Sequence, residues 1–253
     1  MKITILGSGG STGTPVIGCL CQVCRSENPK NKRTRASIFI ETQGIHFLID
    51  SSTDFRQQML REKIERIDAV LYTHCHADHI HGIDDLRCFN TLQDNPIPIY
   101  ADVSSLEKIQ KYFDYIFCDC GQTGFIPRLI PYKLQEKMKI FGVGVTSIPL
   151  LHGPFSSTGF RIGNVAYLTD VKKIPDKSYK LLKNLDLLIL GALRYTEHPS
   201  HMTFQEAIAE LDKIKPARTL FTHMAHQVDH DQANLELPQG VELCYDGMAI
   251  GCN

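Results

Sequence analysis

No stretch of this sequence approaches the roughly 18 consecutive apolar residues that a membrane-spanning helix needs. The apolar run at 3–6 ends in glycines, with no small-residue cleavage site after it, so no secretory leader is legible. An excess of one charge is missing too: 27 Lys and Arg stand against 28 Asp and Glu. That balance removes the global basic field of a nucleic-acid binder and the acidic tail of a solvating segment. Lys30, Lys32, Arg33 and Arg35 form one local basic cluster, read as a solvated loop. There is no internal repeat of 20–50 residues and no low-complexity tract. The expectation is a cytoplasmic protein with no membrane partner and a small molecule, rather than nucleic acid, as its first-choice partner, with nucleic acid left open; a homodimer is compatible with the sequence.

What is present is an ordinary globular composition, 43% apolar over 253 residues. This suits one large α/β domain spanning 1–253. The nine cysteines are an odd number, which in a cytoplasmic chain favours free thiols and metal ligands over disulfides. Three bunch at Cys19, Cys21 and Cys24; Cys75, Cys88, Cys118, Cys120, Cys244 and Cys252 are scattered. Cys118-Asp119-Cys120 is only a pair and receives no role.

Short β-type runs recur along the chain. Residues 2–6 read as a strand, followed by a long turn through Gly7-Ser8-Gly9-Gly10 to Pro15. Runs at 37–41 and 45–49 flank Thr42-Gln43-Gly44 as a hairpin. Further strands are read at 69–73, 97–101, 160–162, 165–169, 187–190 and 219–222, with two more runs inside 137–149. Helical spacing covers 53–63. A second helix at 104–113 is read with Ser104 as N-cap and Glu107 in a capping box, and a third at 203–214 with Thr203 and Glu206 in the same roles. Runs at 241–243 and 248–250 around Asp246-Gly247 read as a closing hairpin. Two mixed sheets packed face to face with helices outside account for this pattern.

The strongest signal is Thr73-His74-Cys75-His76-Ala77-Asp78-His79. Three imidazoles and a carboxylate follow a buried strand, where rigid scaffolds display catalytic groups. Residues two apart on an extended stretch point the same way, so His74 and His76 can share one metal. The chain must then turn, and Asp78 and His79 can address a second site. Two ions about 3.5–4 Å apart form the clamp of many phosphoryl-transfer enzymes. His152, Asp170 and His223 each follow a β-type run and are the candidates to complete two sites.

With these residues the sequence resembles the metallo-β-lactamase superfamily of αββα binuclear hydrolases, over essentially the whole chain. The resemblance implies the four-layer α/β sandwich. It implies that His74, His76 and His152 bind one metal, that Asp78, His79 and His223 bind the other, and that Asp170 bridges. Such sites accept zinc or manganese, and also iron or nickel.

Cys19-Leu20-Cys21-Gln22-Val23-Cys24 has the thiol spacing of a structural zinc, with the fourth ligand absent locally. His226, three residues after His223, is the candidate. Here the chain looks like the PhnP-type phosphoribosyl 1,2-cyclic phosphate phosphodiesterases, in which a Cys-x-Cys-x-x-Cys cluster is closed by such a histidine. Gly7-Ser8-Gly9-Gly10 and Tyr245-Asp246-Gly247-Met248 look similar as well. The cysteine loop at about 15–35 is therefore expected to carry one structural zinc.

The expected function is hydrolysis of a small cyclic phosphate or nucleotide-like phosphodiester, with a hydroxide shared by the two ions attacking phosphorus in line. His201 is the candidate proton donor or phosphoryl clamp, with His198 as its competitor; Asp78 is a second candidate for proton transfer. His46, His81 and His230 receive no catalytic role. Two alternatives are weighed. A tRNA 3′-processing endonuclease would carry a long basic arm, and 102–135 is neither Gly-rich nor strongly basic. A quinone-cofactor assembly protein would share the cysteine cluster but not the intact central motif.

Overall fold

The computed structural model describes residues 1–118 and 124–252. Asp119 and Cys120 of the cysteine pair lie outside the described residues. Strands β1 (Lys2–Gly7), β2 (Ser37–Thr42), β3 (Ile45–Ile49), β4 (Ala69–Leu71), β5 (Ile97–Ala101) and β6 (Leu129–Lys133) form the first sheet. Strands β7 (Lys137–Ile140), β8 (Val143–His152), β9 (Phe155–Ile162), β10 (Val165–Leu168), β11 (Leu187–Gly191), β12 (Arg218–Thr222) and β13 (Val241–Leu243) form the second. The last strand, β14 (Ala249–Gly251), returns to the edge of the first.

Among the described residues both sheets follow one rule. The first runs β14-β1-β2-β3 antiparallel and then β3-β4-β5-β6 parallel. The second runs β7-β8-β9-β10 antiparallel and then β10-β11-β12-β13 parallel. Strand alternation sets the layers. Ile3, Ile5, Ile38, Ile40, Phe47 and Ile49 point between the sheets, against Val145, Ile148, Leu150, Phe160 and Leu168. Phe39, Leu48 and Val70 point outward to a second core. That core is closed by Phe55 and Met59 of helix α1 (Phe55–Glu62). A short helix α2 (Ala77–Ile80) adds Ile80, and α3 (Leu86–Gln93) and α4 (Val103–Tyr112) add Phe89, Leu106 and Ile109. After α5 (Asp114–Phe117) and α6 (Asp176–Tyr179), helix α7 (Phe204–Ile214) packs on the second sheet through Phe204 against Phe221, and α8 (His230–Glu236) lies beside β13. The result is two mixed sheets flanked by helices, as the strand pattern requires. Among the described residues no helix is long and apolar enough to cross a membrane.

The β2–β3 hairpin forms at the expected turn. Gln43 and Gly44 both have positive φ, 52° and 75°, the backbone of a tight two-residue hairpin. α7 is capped as read: Glu206 N–H donates to Thr203 Oγ1 at 3.1 Å, and Thr203 N–H donates to Glu206 Oε2 at 2.7 Å. Two readings change. The N-cap of α4 is Asp102, not Ser104, because its carboxylate accepts from Ser104 N–H at 2.9 Å and Ser105 N–H at 3.2 Å. The closing segment is not a hairpin either. β13 pairs with β12, and β14 pairs with β1 in the other sheet. The first sheet captures the turn: Asp246 accepts from Ser8 N–H, Ser8 Oγ and Thr34 N–H at 2.8–2.9 Å, and Gly247 N–H donates to Ile5 O. Asp246-Gly247 thus carries the chain from one sheet to the other.

Candidate metal centre

The candidate ligands converge because each leaves the end of a strand or begins a helix at the same end of the sandwich. Beyond β4, His74 and His76 follow on extended backbone, with His76 at φ −70°, ψ 151°. α2 then starts at Ala77 and swings Asp78 and His79 out of that line. His152 is the last residue of β8, Asp170 lies just past β10, and His223 follows β12 directly. Asp170 and His223 turn off their strands with φ of 52° and 60°. Such left-handed backbone is costly away from glycine and concentrates at functional sites.

Asp170 organises the cluster. Its Oδ1 faces His74 Nε2 at 4.0 Å, His152 Nε2 at 3.7 Å and His201 Nδ1 at 3.8 Å. Its Oδ2 faces His79 Nε2 at 3.2 Å and His223 Nε2 at 3.3 Å. On the first side His74 Nε2 and His76 Nδ1 are 2.8 Å apart. On the second, Asp78 Oδ2 lies 3.3 Å from His79 Nε2 and 3.8 Å from His223 Nε2. Ligand bonds of about 2.0–2.1 Å in a tetrahedral shell put donor atoms about 3.3–3.4 Å apart, so both sets have ion-sized spacing. His74, His76 and His152 could hold one ion, and Asp78, His79 and His223 another.

The donor chemistry fits an ion. His79 Nε2 and His223 Nε2 are buried and make no hydrogen bond, although carboxylate oxygens lie nearby. An unsatisfied buried polar atom costs about 1–3 kcal/mol, which a cation at the common focus would remove. The electrostatics agree. Burial opposes the charge on Asp170, yet His223 and His79 outweigh it and hold the carboxyl well below its ordinary value. Burial likewise opposes the charge on Asp78, which His79 and His223 pull down. Burial disfavours a charged His79 as well, but Asp170, Asp78 and Asp50 raise it well above the ordinary range. His74 and His76 are both pushed down, by burial first and then by neighbouring histidines, and so are neutral lone-pair donors.

Asp50, just past β3, was not singled out from the sequence. It is fully buried, and its Oδ2 accepts from His79 Nδ1 at 2.7 Å and from Thr73 Oγ1 at 2.8 Å. Its Oδ1 accepts from Thr73 N–H at 2.8 Å, and Thr73 Oγ1 in turn lies 3.0 Å from His74 Nδ1. One carboxylate thus fixes the tautomer of His79 and, through Thr73, that of His74, leaving both Nε2 atoms free to ligate. His152 is fixed the same way, by Nδ1 on Ser200 O at 2.8 Å. The signal was available: Asp50 follows the apolar run 45–49 just as Asp170 follows 165–169.

Of the two competing histidines, His201 is the one at the cluster, 4.6 Å ring to ring from His152 and 4.8 Å from His223. Burial first, then His223, pushes it down to about 3. His198 stands one ring further out, 4.9 Å from His201, with its Nδ1 beside Ser200 N–H at 3.3 Å. His46 pairs with Asp68 at 3.0 Å, His81 meets Phe113 edge-on, and His230 opens α8 and is buried.

The cysteine loop gathers into a second centre. His226 Nδ1 lies 3.4 Å from Cys19 Sγ, 3.4 Å from Cys21 Sγ and 3.6 Å from Cys24 Sγ. A zinc with bonds of about 2.3 Å to sulfur and 2.0 Å to nitrogen places S and N about 3.5 Å apart. The Cys24 N–H, followed by His226, lowers Cys21 to about 6, whereas burial raises Cys24 to about 11.

Residues 46–224 match the model of the beta-lactamase superfamily domain. An octanoyltransferase of Porphyromonas gingivalis is 39% identical over 254 residues, 98% of this chain and 51% of that protein. The crystal structure of a diphosphatase from the PhnP family matches with a TM-score of 0.93 at 38% identity, covering 100% of this chain and 98% of that one. Zinc-bound PqqB from Methylobacterium extorquens matches with a TM-score of 0.81 at 19% identity, covering 100% of each, a likeness of fold. The chain spans about half the length of the curated relatives it matches first. With the domain model running over more than half its length, this chain belongs to the metallo-β-lactamase superfamily and has the architecture of its PhnP-like members.

Proposed function

We propose that the chain is a metal-dependent phosphodiesterase acting on a small cyclic phosphate or nucleotide-like diester, with two catalytic ions and one structural zinc. The observation that carries this reading is Asp170, whose two oxygens face two separate histidine sets. A lone structural ion has no use for that division. The diphosphatase neighbour supports hydrolysis at phosphorus. The octanoyl transfer named for the longer relative belongs to a protein of which this chain covers 51%.

Two divalent ions held by these ligands would polarise the phosphoryl group and make water nucleophilic near neutral pH. The residues do the rest. Asp170 spans the two halves of the cluster and holds them in register. Asp50, through His79 and Thr73, keeps the imidazoles in their ligating tautomers. His201, neutral in the free chain, gives one N–H to a phosphoryl oxygen. The charge of a bound phosphate raises its proton affinity towards that of a donor for the leaving oxygen. Asp78 keeps a solvent edge, at 14% side-chain exposure against 2% for Asp170, and can pass a proton between the site and water. Within 102–135, the stretch compared with such an arm in the sequence, α4 packs Leu106 and Ile109 into the second core.

Purified chain should hydrolyse bis(p-nitrophenyl) phosphate when loaded with zinc or manganese. Asp170→Ala should lower kcat/KM by more than about 100-fold, since loss of an outer-shell partner alone costs 10–100-fold. No hydrolysis with zinc, manganese, iron or nickel would sink the reading.

A further inference from the structure

Phe155 opens β9 at the tip of the β8–β9 hairpin, directly across the ladder from His152. Its ring lies 5.5 Å from that of His76 at 84°, yet 54% of the residue remains exposed. A single exposed aromatic is unremarkable on a surface. This one stands beside two candidate ligands, and its hairpin is fixed. Gly153 has φ 62°, and a Cβ there would meet Ser200 Cβ at 2.9 Å, so the turn is pressed against the residue that orients His152.

Successive ring contacts lead from Phe155 to His76 at 5.5 Å, to His152 at 5.3 Å and to His201 at 4.6 Å. Beyond His201 the surroundings are polar: His198, then Arg194, which donates to Thr196 O and Glu197 O, and Lys172, paired with Glu206 at 2.6 Å. One end of this line suits phosphoryl oxygens and the other suits an apolar ring. An open aromatic face stacks any planar ring, because every nucleobase or aryl group has a π-face.

We propose that Phe155 is a specificity-determining residue that stacks the organic arm of the substrate, so that the site prefers phosphate esters carrying a planar ring close to phosphorus. This rests on the phosphodiesterase reading of the same site. It orients the substrate, with the phosphoryl group towards His201 and the ring over Phe155.

The test compares wild type, Phe155→Ala and Phe155→Tyr as metal-loaded full chains. The substrates are a 2′,3′-cyclic nucleotide and the same cyclic ribose phosphate without its base. Phe155→Ala should lose about tenfold or more in kcat/KM on the nucleotide, chiefly through KM, and less than about threefold on the base-free ester. Phe155→Tyr should restore the difference. Equal losses on both substrates would overturn the proposal, since Phe155 would then only support His76. Calorimetry with a nucleoside 2′-monophosphate and with ribose phosphate reads the same preference without turnover. Preferential nucleotide binding that Phe155→Ala abolishes supports the stacking role even if no diester is cleaved, a failure that falls on the hydrolase reading alone. Equal affinity of wild type for the two ligands overturns the stacking role.

Discussion

Replacing Asp50 with asparagine keeps the shape of the side chain but puts an amide where two oxygens now accept. Thr73 N–H and Oγ1 need one oxygen each, and His79 Nδ1–H shares the second. Asparagine offers one acceptor; the Thr73 N–H cannot turn away, so the amide oxygen stays at the Oδ1 position and the NH₂ faces Thr73 Oγ1, which can rotate its proton, and His79 Nδ1, which cannot. The cheaper adjustment is to flip the His79 tautomer, which puts a proton on Nε2, the atom 3.2 Å from Asp170 and 3.3 Å from Asp78. A protonated Nε2 cannot ligate. Loss of such an outer partner costs about 10–100-fold in metal affinity, or about 1.4–2.8 kcal/mol. Folding stability without metal should hardly change. Burial raises the carboxyl of Asp50 above its ordinary value, so its ionised form opposes folding at neutral pH. The neutral amide removes that cost while losing one acceptor. The assay is metal retention against a graded chelator, with thermal unfolding of the metal-free chains as control. An unchanged chelator midpoint would refute the tautomer argument; a collapse of the metal-free chain would show that Asp50 holds the fold and not the ligands.

Cys21→Ser should remove one zinc per chain by elemental analysis and leave the metals of the His74 cluster in place, with a thermal midpoint lower by several degrees because a structural site contributes to folding directly; unchanged zinc would exclude the Cys19, Cys21, Cys24 and His226 centre. His230 is buried and pushed down to about 4, by burial first and then by Lys30 and Arg33. Its unfolded form takes a proton near pH 6.5 and its folded form only near pH 4. The unfolded state therefore binds more protons between those values, and stability is lost as pH falls through that window and is whole above it. His230→Gln should shrink the difference in urea midpoint between pH 7 and pH 4.5 by the equivalent of about 1–3 kcal/mol. An unaltered difference would place the acid sensitivity elsewhere.

Much of the fold was legible because it is written in strictly local patterns. The alternation at 37–49 and the turn Gln43-Gly44 are enough to place β2 and β3 back to back. The capping box of Thr203 and Glu206 closes within three residues. The misread elements depend on distant partners. Asp246-Gly247 has the chemistry of a hairpin, but Ser8 and Thr34, more than 200 residues away, compete for its carboxylate and win. β6 was missed because Leu129–Lys133 is half open, with Pro131 in its middle, and is a strand only by pairing with β5. Gly7, read from the sequence as opening the turn, instead ends β1 for a non-local reason: a Cβ there would run into Arg35 O. The candidate ligands were readable from their shared place after strands, and the structure brings them together. Asp50 obeys the same logic but was passed over, because a carboxylate that holds other ligands sits beside no cluster of its own in the chain.

The cluster lies on a seam. His74, His76, Asp78, His79 and Asp50 come from the part of the chain that builds the first sheet, whereas His152, Asp170, His201 and His223 come from the part that builds the second. Each proposed ion takes ligands from both parts, because His152 completes the first set and His223 the second. Neither sheet can build a site alone, and the spacing of donors is set by how the inner faces pack. Ile49 and Leu71 on one face and Leu150 and Leu168 on the other belong to the same apolar core, and each of these strands leads into a ligand or into Asp50. Packing density leaves little slack there, since a change of one methylene is felt in a close-packed core. The apolar residues that gave only fold class in the sequence therefore also set the spacing of the candidate ligands: they fix how far apart the two sheet ends stand, and ligation tolerates only a few tenths of an ångström.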